Sequence, residues 1–150
     1  MQQPAPGVFY AGNGARFIAY LVDALIMGAI ISVVFVVLTV IGLAEASNDN
    51  SAIAGLTVAI GFVGAFLVYL TYLPWFWGHG GQTPGMKVLR VRVVREVDGG
   101  PLGVGQAYIR LVGFWVSSVV FYLGFIWILF DGRRQGWHDK IAGTVVIAVP

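Results

Sequence analysis

The stretch ARFIAYLVDALIMGAIISVVFVVLTVIGLA, residues 15–44, decides the class of this protein. From Phe17 to Ala44 it is apolar almost without interruption, enough for a helix of roughly 20 residues to cross a hydrocarbon core of about 30 Å. Val and Ile abound, but an unpaired strand cannot satisfy its backbone in lipid, so the segment is predicted to be helical. Asp23 disagrees with that setting. It lies two turns beyond Arg16 on the same side of the helix, about 10 Å deeper. A charge inside a span costs about 2.5–3.5 kcal/mol on insertion scales, so Asp23 is expected to face protein, be protonated or pair with a cation. Arg16 is placed to snorkel to phosphate head groups.

The whole chain follows this lead. Hydrophobic residues make up 58% of the sequence and charged residues 11%, with a mean hydropathy of +0.83. Soluble chains carry about 25% charged residues, so a membrane protein is the class that fits. Two further apolar runs, about Ile53–Trp77 and about Ala107–Phe130, are also long enough to span. The absence of cysteine removes disulfides, iron–sulfur clusters and thiol nucleophiles. The net charge of +2 and isoelectric point near 9.2 do not indicate nucleic acid, because most basic residues flank apolar segments, as topology signals do.

Those flanks set an orientation. Residues 44–52, AEASNDNSA, are acidic, whereas residues 78–106 carry Lys87, Arg90, Arg92 and Arg95. The positive-inside rule therefore puts residues 78–106 and the N-terminus in the cytoplasm of a multi-pass protein of the cell membrane. Tyr69, Tyr72, Trp75, Phe76 and Trp77 read as an interfacial belt at the end of the second helix. Residues 1–15 read as a flexible tail ahead of an uncleaved anchor, and residues 1–150 as a single membrane domain.

The third apolar run is harder to place. A plain crossing would put Arg133, Arg134 and Lys140 outside. KVLRVRVV (87–94) and TVVIAV (144–149) read as strands suited to pairing in a small cytoplasmic sheet, which requires one side for both. We therefore expect an interfacial helix near 104–118 that dips in and returns, bending near Tyr122-Leu123-Gly124. A third span with an external C-terminus is the alternative. The expected fold is all-α, with two long transmembrane helices, this third segment and a small β element. A β-hairpin-like strand is expected within residues 78–106.

Few motifs suggest chemistry. Gly80 to Lys87, GGQTPGMK, approaches a phosphate loop, but its lysine is displaced and the hydroxyl residue after it is missing. A strand-like stretch also follows where a helix N-terminus is needed. His138 and Asp139 are adjacent and point apart on a helix, which makes a poor metal site, and His79 is distant in sequence. No nucleophile–base pair emerges, so neither catalytic residues, cofactor nor metal is assigned, and the chain is not read as an enzyme. The best cation for Asp23 is Arg110, while Asp131 is expected to cap or salt-bridge where the third run ends. Arg90, Arg92, Arg95, Arg133, Arg134 and Lys140 form the basic set expected at the membrane surface, near anionic lipid head groups. Small residues four apart, Ala15-Ala19-Asp23, Ala24-Gly28-Ser32, Gly61-Ala65 and Gly113-Ser117, suit close helix packing within the chain or in a homo-oligomer.

Three separated segments, ARFIAYLVD, GQTPGMKVLRVRVV and FDGRRQGWHDKIAGTVVI, resemble the RDD family of membrane proteins over about residues 11–149. That family takes its name from an arginine and two aspartates. The resemblance maps the arginine and first aspartate onto Arg16 and Asp23, and leaves Asp131 and Asp139 as candidates for the second. Met86-Lys87 stands where a lone basic residue is common. The resemblance implies transport of an unidentified ion or solute; Arg16, Asp23, Asp131 and Asp139, with Arg110 added as the cation expected for Asp23, make up the ion-binding or ion-pair network. The alternative is a scaffold or assembly subunit, with a membrane partner, in which the same network is structural.

Overall fold

The computed structural model describes residues 8–48, 50–120 and 123–150. Two long helices, α1 (Asn13–Ser47) and α2 (Ser51–Gly80), are followed by a short α3 (Pro84–Val88) and strand β1 (Val91–Arg95). Then come α4 (Val104–Val119), α5 (Leu123–Ile126), a 3-10 turn (Trp127–Leu129), α6 (Trp137–Ala142) and strand β2 (Thr144–Ala148). Both long helices are apolar enough to cross a membrane. At 1.5 Å per residue, 35 and 30 residues reach about 52 and 45 Å, well beyond a core of about 30 Å.

The excess length has a use. The chain forms two compact units, one of residues 24–72 and one of residues 1–23 with 73–150. Ala24–Ser47 alone reaches about 36 Å, enough for the hydrocarbon. In the 24–72 unit the two helices pack through small residues. A methyl group on Gly61 would lie 3.3 Å from Leu38 Cδ1, and Phe35 meets Phe62 edge to face at 5.5 Å. The expected row Ala24-Gly28-Ser32 is exposed instead.

The second unit holds the first turns of α1, the last turns of α2 and everything after them. Strands β1 and β2 pair antiparallel, with Val93 opposite Val146 and Arg95 opposite Thr144. The strand in residues 78–106 thus finds its partner near the C-terminus, not in a hairpin. KVLRVRVV is only half strand, because its first residues belong to α3, where Thr83 caps the helix and Pro84 opens it. Residues 1–7 of the expected tail lie outside the described residues. Phe9 to Ala11 lie along the other edge of β2, with Ala11 N donating to Val146 O and Ala148 N to Phe9 O, both at 2.9 Å.

The third apolar run is broken. α4 and the segment Leu123–Leu129 meet at 108°, and both α4 and α5 contact α6. Tyr122, part of the expected bend, lies outside the described residues. Since β1 precedes this run and β2 follows it, their pairing brings the two ends of the run together. Trp77 departs from the expected aromatic belt. It is fully buried, with the Arg110 guanidinium 4.9 Å from its ring centre, whereas Trp75 is 61% exposed.

Candidate functional site

Two buried arginines of the second unit, Arg16 and Arg110, meet at one carboxylate, Asp139. It sits in the first turn of α6, where its Oδ2 accepts from Gly136 N at 2.9 Å and so caps the helix start. Arg16, from the first turn of α1, donates Nη2 to Asp139 Oδ2 and Nη1 to the carbonyl of Arg134. Arg110, from the middle of α4, donates Nη1 to Asp139 Oδ1 and to Thr144 Oγ1, and its Nη2 reaches Tyr20 Oη at 3.1 Å. All three charged groups are shut away from solvent. Arg16 is therefore an internal ligand and not a head-group anchor.

Burial works against ionising Asp139, but Arg110 and then Arg16 outweigh it and hold the carboxyl well below the usual carboxylate range. His138, next along α6, behaves in the opposite way. Burial lowers its pKa to about 3, with the pull of Asp139 set against the repulsion of Arg110 and Arg16. The imidazole is thus neutral at pH 7. It packs against Phe114 and Phe125, with centroids 4.2 and 5.1 Å away, and neither ring nitrogen finds a hydrogen-bond partner among the described residues.

Asp23 has a different setting from the one expected. Arg110 is bound to Asp139, while Asp23 receives the Thr83 hydroxyl on Oδ2 and the Gly85 amide on Oδ1, the latter at 2.9 Å. Thr83 Oγ1 also accepts from Met86 N at 3.2 Å, so one hydroxyl caps α3 and binds Asp23. Gly85 is needed here because a Cβ would strike the Ala19 carbonyl and lie 3.0 Å from the Asp23 carboxyl. The segment GGQTPGMK does begin a helix, α3, where a strand was expected to follow it directly. The anion its amide meets is a side chain of this chain.

Asp131, the other candidate for the second aspartate, stands apart from this cluster. It accepts from Arg133 N and Gln135 N, at 3.1 and 3.0 Å, and pairs with Lys140 at 2.5 Å. Burial tends to raise its pKa, but Lys140 and the two amides together lower it. Of the expected surface cations, Arg95 pairs with Asp98 at 2.7 Å and Arg133 with Glu96. Arg134 donates to Ala11 O at 3.2 Å. Arg90 and Arg92 are exposed, as is the neighbouring Lys87.

Sequence reasoning missed Thr83, Gly85, Tyr20 and Thr144 as members of these networks. Thr-Pro-Gly is a legible helix start, with a capping hydroxyl before a proline. Tyr20 and Thr144 carry no local signal, since only tertiary contact brings them to Arg110.

The chain is 31% identical over 149 residues to the uncharacterized protein YxaI of Bacillus subtilis, covering 91% of this chain and 96% of that one. It is 29% identical over 140 residues to the uncharacterized membrane protein YteJ of the same organism, 92% and 80% of the two chains. A proline-rich antigen homolog of Mycobacterium tuberculosis is 33% identical over 84 residues, 53% of this chain and 35% of the relative. The matched part thus spans about a third of that relative's length. No solved structure matches. Residues 10–143, from the strand-like Tyr10 through Arg16, Asp23 and Asp139, match the sequence model of the RDD family, and the chain belongs to that family of membrane proteins.

Proposed function

We propose that this chain is a non-enzymatic membrane scaffold of the cell membrane, N-terminus cytoplasmic, whose Arg/Asp network is a structural lock. In this reading Asp139 is the second aspartate of the family's name. Arg16 and Arg110 tie α1 and α4 to α6 through it, and Asp23 ties α1 to the start of α3. The observation that carries the reading is the complete enclosure of Asp139 between two guanidinium groups and the Gly136 amide. A carboxylate so satisfied is held ionised and has no cause to exchange its ligands. Lys87, Arg90 and Arg92 remain available for anionic lipid head groups or a membrane partner, at about 1 kcal/mol per charge.

Transport of an ion or solute, with Asp23 as the binding carboxylate, is the competing reading. Its support is the exposed row Ala24-Gly28-Ser32, which suits the helix-to-helix contact of a homo-oligomer. The two readings separate in proteoliposomes. For a lock, cation-driven proton flux through the wild type equals that of empty vesicles, while Asp23→Asn and Asp139→Asn lower the melting temperature. Flux above background that Asp23→Asn abolishes at unchanged melting temperature would establish transport instead.

A further inference from the structure

Beside the first turns of α1, in the second unit, lies a cavity of about 430 Å³, bordered by Arg16 and Tyr20 of the Asp139 network. This is within the range of about 300–1,000 Å³ typical of small-molecule sites. Its wall is almost wholly apolar, built from Phe17 and Tyr20 of α1 and from Phe125, Ile126, Ile128 and Leu129 of the bent segment. Phe17 and Leu129 are more than 60% exposed, so the cavity opens on an apolar surface, the kind that meets acyl chains. Arg16 and Asn13 also line it. The Nη groups of Arg16 are bound to Asp139 and Arg134, but its Nε is buried with no partner among the described residues, and so is Oδ1 of Asn13. A buried donor and a buried acceptor left unpaired cost about 1–3 kcal/mol each.

From this geometry we infer an amphiphile-binding site: the cavity takes a single acyl chain whose head, a hydroxyl or a carboxylic acid in its protonated form, accepts from Arg16 Nε and donates to Asn13 Oδ1. Either head supplies one acceptor and one donor, as the two orphaned atoms require. The inference does not depend on whether the chain is a scaffold or a transporter.

Gly14 offers a clean test. It lines the cavity, is exposed, and a Cβ there meets nothing within 4 Å, so a larger residue is accommodated by the fold and narrows the cavity. Three photoreactive probes of equal length, a hexadecanoic acid, a hexadecanol and a hexadecane each bearing a diazirine, are added to the full chain in phosphatidylcholine vesicles. Labelled peptides are then mapped by mass spectrometry. The acid, the alcohol or both should label residues 13–20 and 123–129 in preference to the exposed apolar residues Ile60 and Phe62 of α2. Gly14→Leu should reduce that labelling about tenfold, and Gly14→Ala should retain most of it. Preference for one polar head identifies the ligand class. Equal labelling by the hexadecane, labelling spread evenly over apolar surfaces, or indifference to Gly14→Leu each overturns the site.

Discussion

At the residue scale, Asp139 is the side chain on which two buried cations, Arg16 and Arg110, depend. Asp139→Asn leaves Arg16 and Arg110 without their counter-ion, and breaking a buried pair in this way costs about 3–5 kcal/mol. A large fall in melting temperature in detergent is expected, and a fall no greater than that of Asp131→Asn would count against this role. The pH dependence has a definite sign. The stability supplied by Asp139 is complete above the unfolded carboxyl pKa and fades only as pH drops through its depressed folded value. His138 acts sooner. Its folded pKa of about 3 lies below the unfolded value near 6.5, so the unfolded chain binds the proton and stability declines as pH falls from 6.5 toward 3. Melting temperatures measured between pH 7 and 4 should therefore drop steadily in the wild type and much less in His138→Leu.

At the element scale, two close approaches set the geometry. α4 crosses α6 at Gly113, where a methyl group would lie 2.7 Å from the backbone Cα of His138. Gly113→Ala should cost about 1–3 kcal/mol by overpacking, whereas Gly105→Ala, with nothing within 4 Å on the same helix, should be neutral or stabilise by about 0.4–1 kcal/mol. Chemical denaturation of the pair distinguishes a crossing constraint from a general intolerance of α4. The second approach is α3 against α1. Thr83→Val removes both the cap of α3 and a donor to Asp23, and should cost about 1–3 kcal/mol. Thr83→Ser, which keeps the hydroxyl, should restore most of that, and equal melting temperatures for the two variants would refute the double role.

At the scale of the whole molecule, the pairing of β1 with β2 holds the two ends of the third run together, so both ends are expected on one side of the membrane. The chain has no cysteine, so single-cysteine variants report sidedness without background. Val97→Cys and Pro150→Cys should react with an impermeant maleimide from one side of the membrane, and Ser51→Cys from the other. Opposite sidedness for positions 97 and 150 would show that the third run crosses.

Hydropathy is a local sum, so the two long helices were legible in residues 15–44 and 53–77 without knowledge of any contact. Charge asymmetry and alternation are likewise local, and they pointed to a strand near residue 90 with a partner near residue 145. Pairing among charges is not local. Arg16, Arg110 and Asp139 lie far apart in the chain, and nothing in their spacing says which cation meets which carboxylate. Residue by residue, Asp23 and Arg110 looked like partners because both stood out from apolar runs. Folding gave Arg110 to Asp139 because α4 lies against α6, and brought Asp23 to Thr83 and Gly85 because α3 docks on α1. Sequence alone determined that this is a membrane protein with two long apolar helices and a small sheet, since burial in lipid is decided segment by segment. Only tertiary structure decided what its arginine and aspartates hold, since an ion pair exists only where the fold brings its two ends together.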